Sequence, residues 1–409
     1  MPITHSRPLT ARPALARIAA VLVGTAWRLT LATALVTALA SAAAASAGEE
    51  ITSPTTTGSY AEPNGDPRRQ ALDDLLHNRT EAGFRGVVLV SEGDEVVLHE
   101  AYGRRDPEQP EPMPRDAVFT LGSIAKPFTA LLVLQLEEEG QLRVDDPIDR
   151  HLPDVPSDKQ AITLHHLLTH SAGFPGALGE DFDFIARDSF VDLAFGTPLL
   201  FEPGERYEYS NVGYSLLAAI VERRTGRPFE EVLRQRVLEP AGMRDTGFDP
   251  ALWPTDRLAH GGGPGGRWGT VVERFGPRGP SWHLVGNGGL HSTASDMLRF
   301  HRALEGNLLL SESAKTRAFG RQMPEDEAGS SHYGYGWTVF DTPQGGTVLA
   351  HNGGNRIFFA DFQRHVDDDL MVFLAAAQPM QGLFVLAEEI ARRLADPEAA
   401  ETSTPAPRE

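Results

Sequence analysis

Ser123 and Lys126 stand three residues apart in Leu121-Gly122-Ser123-Ile124-Ala125-Lys126-Pro127-Phe128. A hydroxyl and an amine at that spacing can serve as a nucleophile and its base. On a helix, positions i and i+3 share a face, with Cβ atoms about 5–6 Å apart. The amine is the unexpected half. Of 37 basic residues, only Lys126, Lys159 and Lys315 are lysine. Arginine stays protonated, whereas a desolvated lysine can act as a base. A helix-capping serine followed by a solvated lysine would give the same pattern, but the apolar flanks argue against that.

Two further groups could do chemistry. In Tyr209-Ser210-Asn211 a phenol can relay a proton and a carboxamide can bind a substrate amide or carbonyl. In His351-Asn352-Gly353-Gly354 the glycines let a ligand backbone lie along a strand edge. Read singly, each has a plain structural alternative: a core tyrosine, a helix-capping asparagine, a strand-ending Asn-Gly turn.

Together the three motifs resemble those of the serine β-lactamase and penicillin-binding-protein superfamily, in its branch of class C β-lactamases, D,D-peptidases and esterases. That pattern is Ser-x-x-Lys, Tyr-x-Asn, then Lys-Thr-Gly or His-x-Gly. Here the motifs lie roughly 85 and 140 residues apart, as in that branch. Leu167-Leu168-Thr169-His170-Ser171-Ala172-Gly173, Glu239-Pro240-Ala241-Gly242-Met243 and Gly288-Gly289-Leu290-His291-Ser292-Thr293 resemble its connecting segments. The likeness spans about residues 68–395.

The resemblance implies roles. Ser123 is the acyl-accepting nucleophile, and Lys126 and Tyr209 share the base and proton-shuttle work. Asn211, His351, Gly353 and Gly354 border the substrate, with Asn211 on its amide. The backbone N–H groups of Ser123 and Gly354 form the oxyanion hole. His351 stands where the lactamases have lysine. A lysine holds a substrate carboxylate at any working pH, while histidine is mostly neutral above about pH 6.5. That departure favours ester or peptide-like substrates over β-lactams. The partner implied is a small molecule or peptide, cell-wall peptide among the candidates. No metal and no organic cofactor is implied.

The elements that must position these residues follow from periodicity. Pro67–Ala82 reads as a helix, and Arg85–Ser91 with Glu95–Tyr102 as a hairpin. A helix is expected from Ser123 to Glu139, because Pro127 is tolerated only in a first turn. There, burial and the helix N-terminus would depress the Lys126 pKa. Asp145–Arg257 reads as helical with Pro/Gly connections, and 261–280 as a loop in which Trp268, with Trp282 nearby, could line or cover a pocket. Thr293–Leu304 is a helix. Strands follow at Tyr335–Asp341, Thr347–His351, Ile357–Arg364 and Leu370–Ala377, then a helix at Leu383–Leu394. This order gives an α/β (α+β) fold: an antiparallel sheet made from both chain ends, flanked by helices, with an all-helical insertion over about 140–290. The domain so defined spans 66–395.

Net charge is −19, which argues against nucleic acid as the main partner. The chain has no cysteine, so neither a disulfide nor a thiol nucleophile. Residues 1–47 carry four arginines and no acid, and end in Ala45-Ser46-Ala47, a small-x-small site. They read as an export leader, giving a periplasmic or extracellular protein. If uncleaved, Leu29–Ala47 is long enough to anchor the protein in a membrane. Residues 48–65 read as a flexible linker and 396–409 as a disordered tail. Three rival readings use other features. Ser171 imitates an α/β-hydrolase elbow but lacks the glycine two before it. His165, His166 and His170 could hold a metal but lack the glutamate of His-Glu-x-x-His. A non-catalytic peptide-binding protein could use the same scaffold.

Overall fold

The alternation that predicts strands here is weak because the first strand is buried on both faces. The computed structural model describes residues 67–395 apart from 264–265, 277–278, 356–357, 379 and 381. The expected leader, linker and tail lie outside the described residues. None of the helices described is long and apolar enough to cross a membrane.

Helix α1 (Pro67–Glu81) buries Leu72, Leu75 and Leu76. Strands β1 (Gly86–Glu92) and β2 (Glu95–Tyr102) turn about Gly93, which holds the left-handed φ of +56° that such a tight turn requires. Val88 and Val90 of β1 face one apolar cluster, and Val87 and Leu89 face another. A strand between two helical layers needs an unbroken apolar run, which is what β1 has.

Helix α2 (Ala125–Glu138) is buried nearly all round, as Leu131-Leu132-Val133-Leu134 implies. Helix α3 (Leu164–Leu168) starts at a capping box on Thr163, and α4 (Asn211–Thr225) ends at left-handed Gly226. The segment expected as a loop over 261–280 is instead largely structured. It holds a hairpin of β3 (Gly261–Gly263) and β4 (Gly266–Gly269), then a short helix, Val271–Phe275, capped by Thr270. The glycines that read as loop punctuation form the hairpin's strands.

Helix α5 (Ala294–Glu305) is capped by Thr293, whose Oγ1 accepts from the Asp296 N–H at 3.2 Å. Six strands follow: β5 (Met323–Pro324), β6 (Ser331–Tyr333), β7 (Thr338–Asp341), β8 (Thr347–Gly354), β9 (Phe359–His365) and β10 (Leu370–Ala376). Helix α6 (Leu383–Ala395) closes the described chain.

The eight-stranded sheet has the order β2-β1-β10-β9-β8-β7-β6-β5, with antiparallel neighbours throughout. The fold class is the one the sequence implies, with both chain ends in one sheet. Several strand limits differ by a residue or two, and two differ by three. The strand expected from Tyr335 begins at Thr338, because Tyr335 donates its N–H to Ala318 O and Gly336 turns at a φ of +84°. Strand β8 runs through His351-Asn352-Gly353-Gly354 instead of ending at His351, so these residues make a strand edge and not a turn.

Candidate active site

Ser123 sits on a 3-10 turn, Gly122–Ile124, that leads into α2. The α-helix therefore starts at Ala125, two residues later than expected, with Lys126 in its first turn and Pro127 where no helical N–H is required. The turn is pressed onto β8. A Cβ on Gly353 would fall within 2.6 Å of the Ser123 backbone nitrogen, and closer still to Leu121 O. A Cβ on Gly122, whose φ is +52°, would strike the Gly354 nitrogen. These two glycines bring the amides of Ser123 and Gly354 side by side, as an oxyanion hole requires.

Lys126 is fully buried. Its Nζ lies 3.0 Å from Ser123 Oγ, 2.7 Å from Asn211 Oδ1 and 3.1 Å from the backbone carbonyl of Asn287. Burial pushes its pKa well below the ordinary lysine value, against a smaller opposing pull from the Asp181 carboxylate. A neutral amine has two hydrogens and one lone pair. The two carbonyl oxygens can only accept, so they take the hydrogens, and the lone pair is left for Ser123 O–H. Lys126 is thus set to receive the Ser123 hydroxyl proton.

Sequence reasoning missed Asn287. It contributes a main-chain carbonyl, which no residue type announces. Its side chain fixes it, Nδ2 donating to Ser215 Oγ and His283 O, both at 2.8 Å.

Asn211 is the first residue of α4, and its N–H donates to Gly176 O at 2.8 Å. With Oδ1 committed to Lys126, its Nδ2 is the donor available to a substrate carbonyl. Tyr209, two residues earlier, lines the same cleft as Ser123, and its ring centroid is 4.7 Å from Lys126 Nζ. Burial raises the Tyr209 pKa well above its usual value, so the group is a phenol and a proton donor at rest. His170 backs this tyrosine with ring centroids 4.3 Å apart, in a left-handed conformation with φ of +58°. Its Nδ1 accepts the Ser210 N–H at 3.1 Å, so its proton is on Nε2.

His351 is displaced from the role the sequence suggests. Its ring is buried, with Nδ1 donating to Asn352 O at 2.6 Å and Nε2 accepting from Tyr333 Oη at 2.9 Å. Burial, with the Lys126 amine beside it, lowers its pKa to about 3. A neutral ring held at both nitrogens supplies no charge to a substrate carboxylate. A cleft of about 590 Å³ is lined instead by Ser123, Tyr209, Asn352, Gly353, Gly354 and the rings of Trp268 and Phe359. Trp268 comes from the β3–β4 hairpin. Its neighbour Arg267 ties that hairpin to Asp106 at 3.1 Å and Glu273 at 2.8 Å. Trp282 packs against the core, its backbone N–H donating to Ile185 O at 3.1 Å.

The rival nucleophile and metal readings find no geometric support. Ser171 is fully buried, follows helix α3 with no strand before it, and shares a 2.9 Å hydrogen bond with Thr169 Oγ1. His165 Nδ1 pairs with Tyr335 Oη at 2.9 Å, and His166 Nδ1 accepts the Thr163 N–H at 3.2 Å. With His170 on Ser210, the three rings serve three separate contacts.

A family model described as Beta-lactamase matches residues 69–381. Penicillin-binding protein 4* of Bacillus subtilis is 31% identical over 317 residues, covering 73% of this chain and 70% of that protein. Esterase EstB of Burkholderia gladioli is 31% identical over 328 residues, covering 69% of this chain and 81% of that protein. Among solved structures, the penicillin-binding protein from Bacillus halodurans aligns with a TM-score of 0.68 at 26% identity, over 78% of this chain and 99% of that one.

Proposed function

The chain belongs to the β-lactamase family of serine hydrolases, and we propose that it is an exported enzyme cleaving ester or amide bonds, those of D-amino-acid peptides included, through an acyl-enzyme on Ser123. One observation carries this reading: a buried lysine whose two acceptor-only partners leave its lone pair on Ser123 Oγ.

The substrate carbonyl oxygen sits against the Ser123 and Gly354 amides, each worth roughly 3–4 kcal/mol as charge develops. Asn211 Nδ2 orients the acyl portion. As Oγ attacks the carbonyl carbon, its proton passes to Lys126. Tyr209 gives a proton to the departing oxygen or nitrogen as the bond to carbon breaks, and recovers one from Lys126. The acyl group is then esterified to Oγ. Water enters the same position, loses its proton to the Lys126–Tyr209 pair, and attacks. The bond from the acyl carbon to Oγ breaks, Oγ takes a proton back from that pair, and the acid leaves with Ser123 regenerated. The neutral His351 gives no anchor for a carboxylate, which supports esters and neutral amides ahead of β-lactams.

Fluorophosphonate labelling tests the reaction. The wild-type protein takes one label at Ser123, and Ser123→Ala takes none. A folded wild-type protein that takes no label supports a binding-only scaffold. Nitrocefin, short-chain p-nitrophenyl esters and D-Ala-D-Ala peptides then rank the substrates. Export rests on residues 1–47, and N-terminal sequencing of protein recovered outside the cytoplasm, beginning near Gly48, is the expected result.

A further inference from the structure

Beside the catalytic cleft lies a second cavity of about 230 Å³, and Tyr209 and Asn352 line both. Its walls are largely aromatic: Tyr207, Tyr209, Tyr333 and Phe384. One lining residue is acidic. Glu325 follows β5 and is fixed by its own N–H, which donates to Ser331 O at 3.0 Å. Tyr207 Oη and Thr338 Oγ1 both donate to Glu325 Oε1, at 3.0 and 3.3 Å. Two hydroxyl donors on one oxygen suit an ionised carboxylate. Among the described residues no arginine or lysine pairs with it, and Oε2 takes no hydrogen bond from them. His351, which also lines the cavity, is neutral. The Glu325 charge reaches the reaction centre, since it helps keep the Tyr209 phenol protonated.

A carboxylate framed by aromatic rings attracts a cation and repels an anion. Position says which part of a substrate meets it. The departing atom must approach Tyr209 Oη to be protonated, and Tyr209 and Asn352 line this cavity as well as the cleft, so the group attached to that atom adjoins it. We infer that the cavity is a leaving-group pocket for a positively charged amine, quaternary or protonated, and that Glu325 determines this preference. The inference rests on the hydrolase reading above. It narrows that reading: alcohols and amines that leave with an ammonium group are favoured, and leaving groups that end in a carboxylate are disfavoured.

Acetylcholine and 3,3-dimethylbutyl acetate test it, because they share an acyl group and shape and differ in one charge. The wild-type protein should show kcat/KM about tenfold higher for the cationic ester, and Glu325→Gln should bring the ratio close to one. An equal ratio in both proteins overturns the inference while leaving the hydrolase intact. A second measurement does not depend on turnover. The Ser123→Ala protein is titrated calorimetrically with the same two esters, with and without Glu325→Gln. Tighter binding of acetylcholine that is lost with Glu325 supports the pocket even if neither ester is cleaved. Indifference to charge in this titration rejects it.

Discussion

Tyr333 Oη and His351 Nε2 are 2.9 Å apart in the protein interior, and this bond, with that from Nδ1 to Asn352 O, leaves His351 no ring nitrogen for a substrate. The same burial makes the histidine a sensor of acid. Its folded pKa, about 3, lies below the unfolded value near 6.5, so its stabilising contribution is complete above pH 6.5 and is lost as pH falls toward 3. His291 and His301, lowered by burial to about 4 and about 3, act in the same direction. The urea midpoint should therefore decline below about pH 6.5. His351→Asn should make that decline shallower; an unchanged slope would show that His351 titrates normally.

Lys126 gives a second pH dependence. Its folded pKa is depressed, so its contribution to stability is greatest above the unfolded value near 10.4 and shrinks as pH falls. Urea unfolding of wild type and Lys126→Met, compared from pH 7 to 10, should show the difference moving in favour of wild type as pH rises. Parallel curves would mean that the amine is charged in the fold. For the same reason the acid limb of kcat/KM should reach its plateau well below pH 10.4.

Ser123→Ala should lower kcat/KM by about a thousandfold or more, while Ser171→Ala leaves turnover in place. Losing the Thr169 partner should instead cost Ser171→Ala about 1–3 kcal/mol of stability. Ester hydrolysis and urea denaturation on the two variants separate these effects, and the reverse pattern would transfer the nucleophile to Ser171.

Tyr209→Phe removes the proton donor and keeps the ring against His170. A fall in kcat of about 10²–10⁴-fold with little change in KM is expected. A change confined to KM would assign Tyr209 to binding alone.

Gly353→Ala places a methyl against the Ser123 amide and Leu121 O, both main chain and unable to swing aside. The nucleophile turn must then shift, and displacements of about 1 Å cost roughly 100-fold in rate. Activity close to wild type would show that the turn and β8 are not in this close contact.

The groups that the structure gathers around Ser123 are those whose side chains act: Lys126, Tyr209 and Asn211. They were legible because chemistry demands their types. Asn287 was not, since it acts through a peptide carbonyl. Glu325 was not, since an acid in Met323-Pro324-Glu325-Asp326-Glu327 reads as surface charge until folding sets it among aromatic rings. The glycine-rich segments misled for one shared reason. Gly353 serves a close backbone approach, and Gly266 and Gly269 hold φ of +98° and +91° in the β3–β4 hairpin, yet in sequence they carry the same signal as a turn. Lys126 was expected on a helix from Ser123. The tighter 3-10 turn that precedes the helix depends on contact with β8, which lies far along the chain.

The pairing of β1 with β10 sets when this protein can become active. Gly86 lies opposite Ala376, so the first strand waits for the last before it is covered on that edge. Between them lie the nucleophile turn and, in β8, the glycines that complete its oxyanion site. Contacts so far apart in sequence slow folding, because the loop they close must be ordered before they form. A ribosome making this chain therefore releases no working fragment. Chemistry at Ser123 begins only after the final strand of this sheet is synthesised and docked.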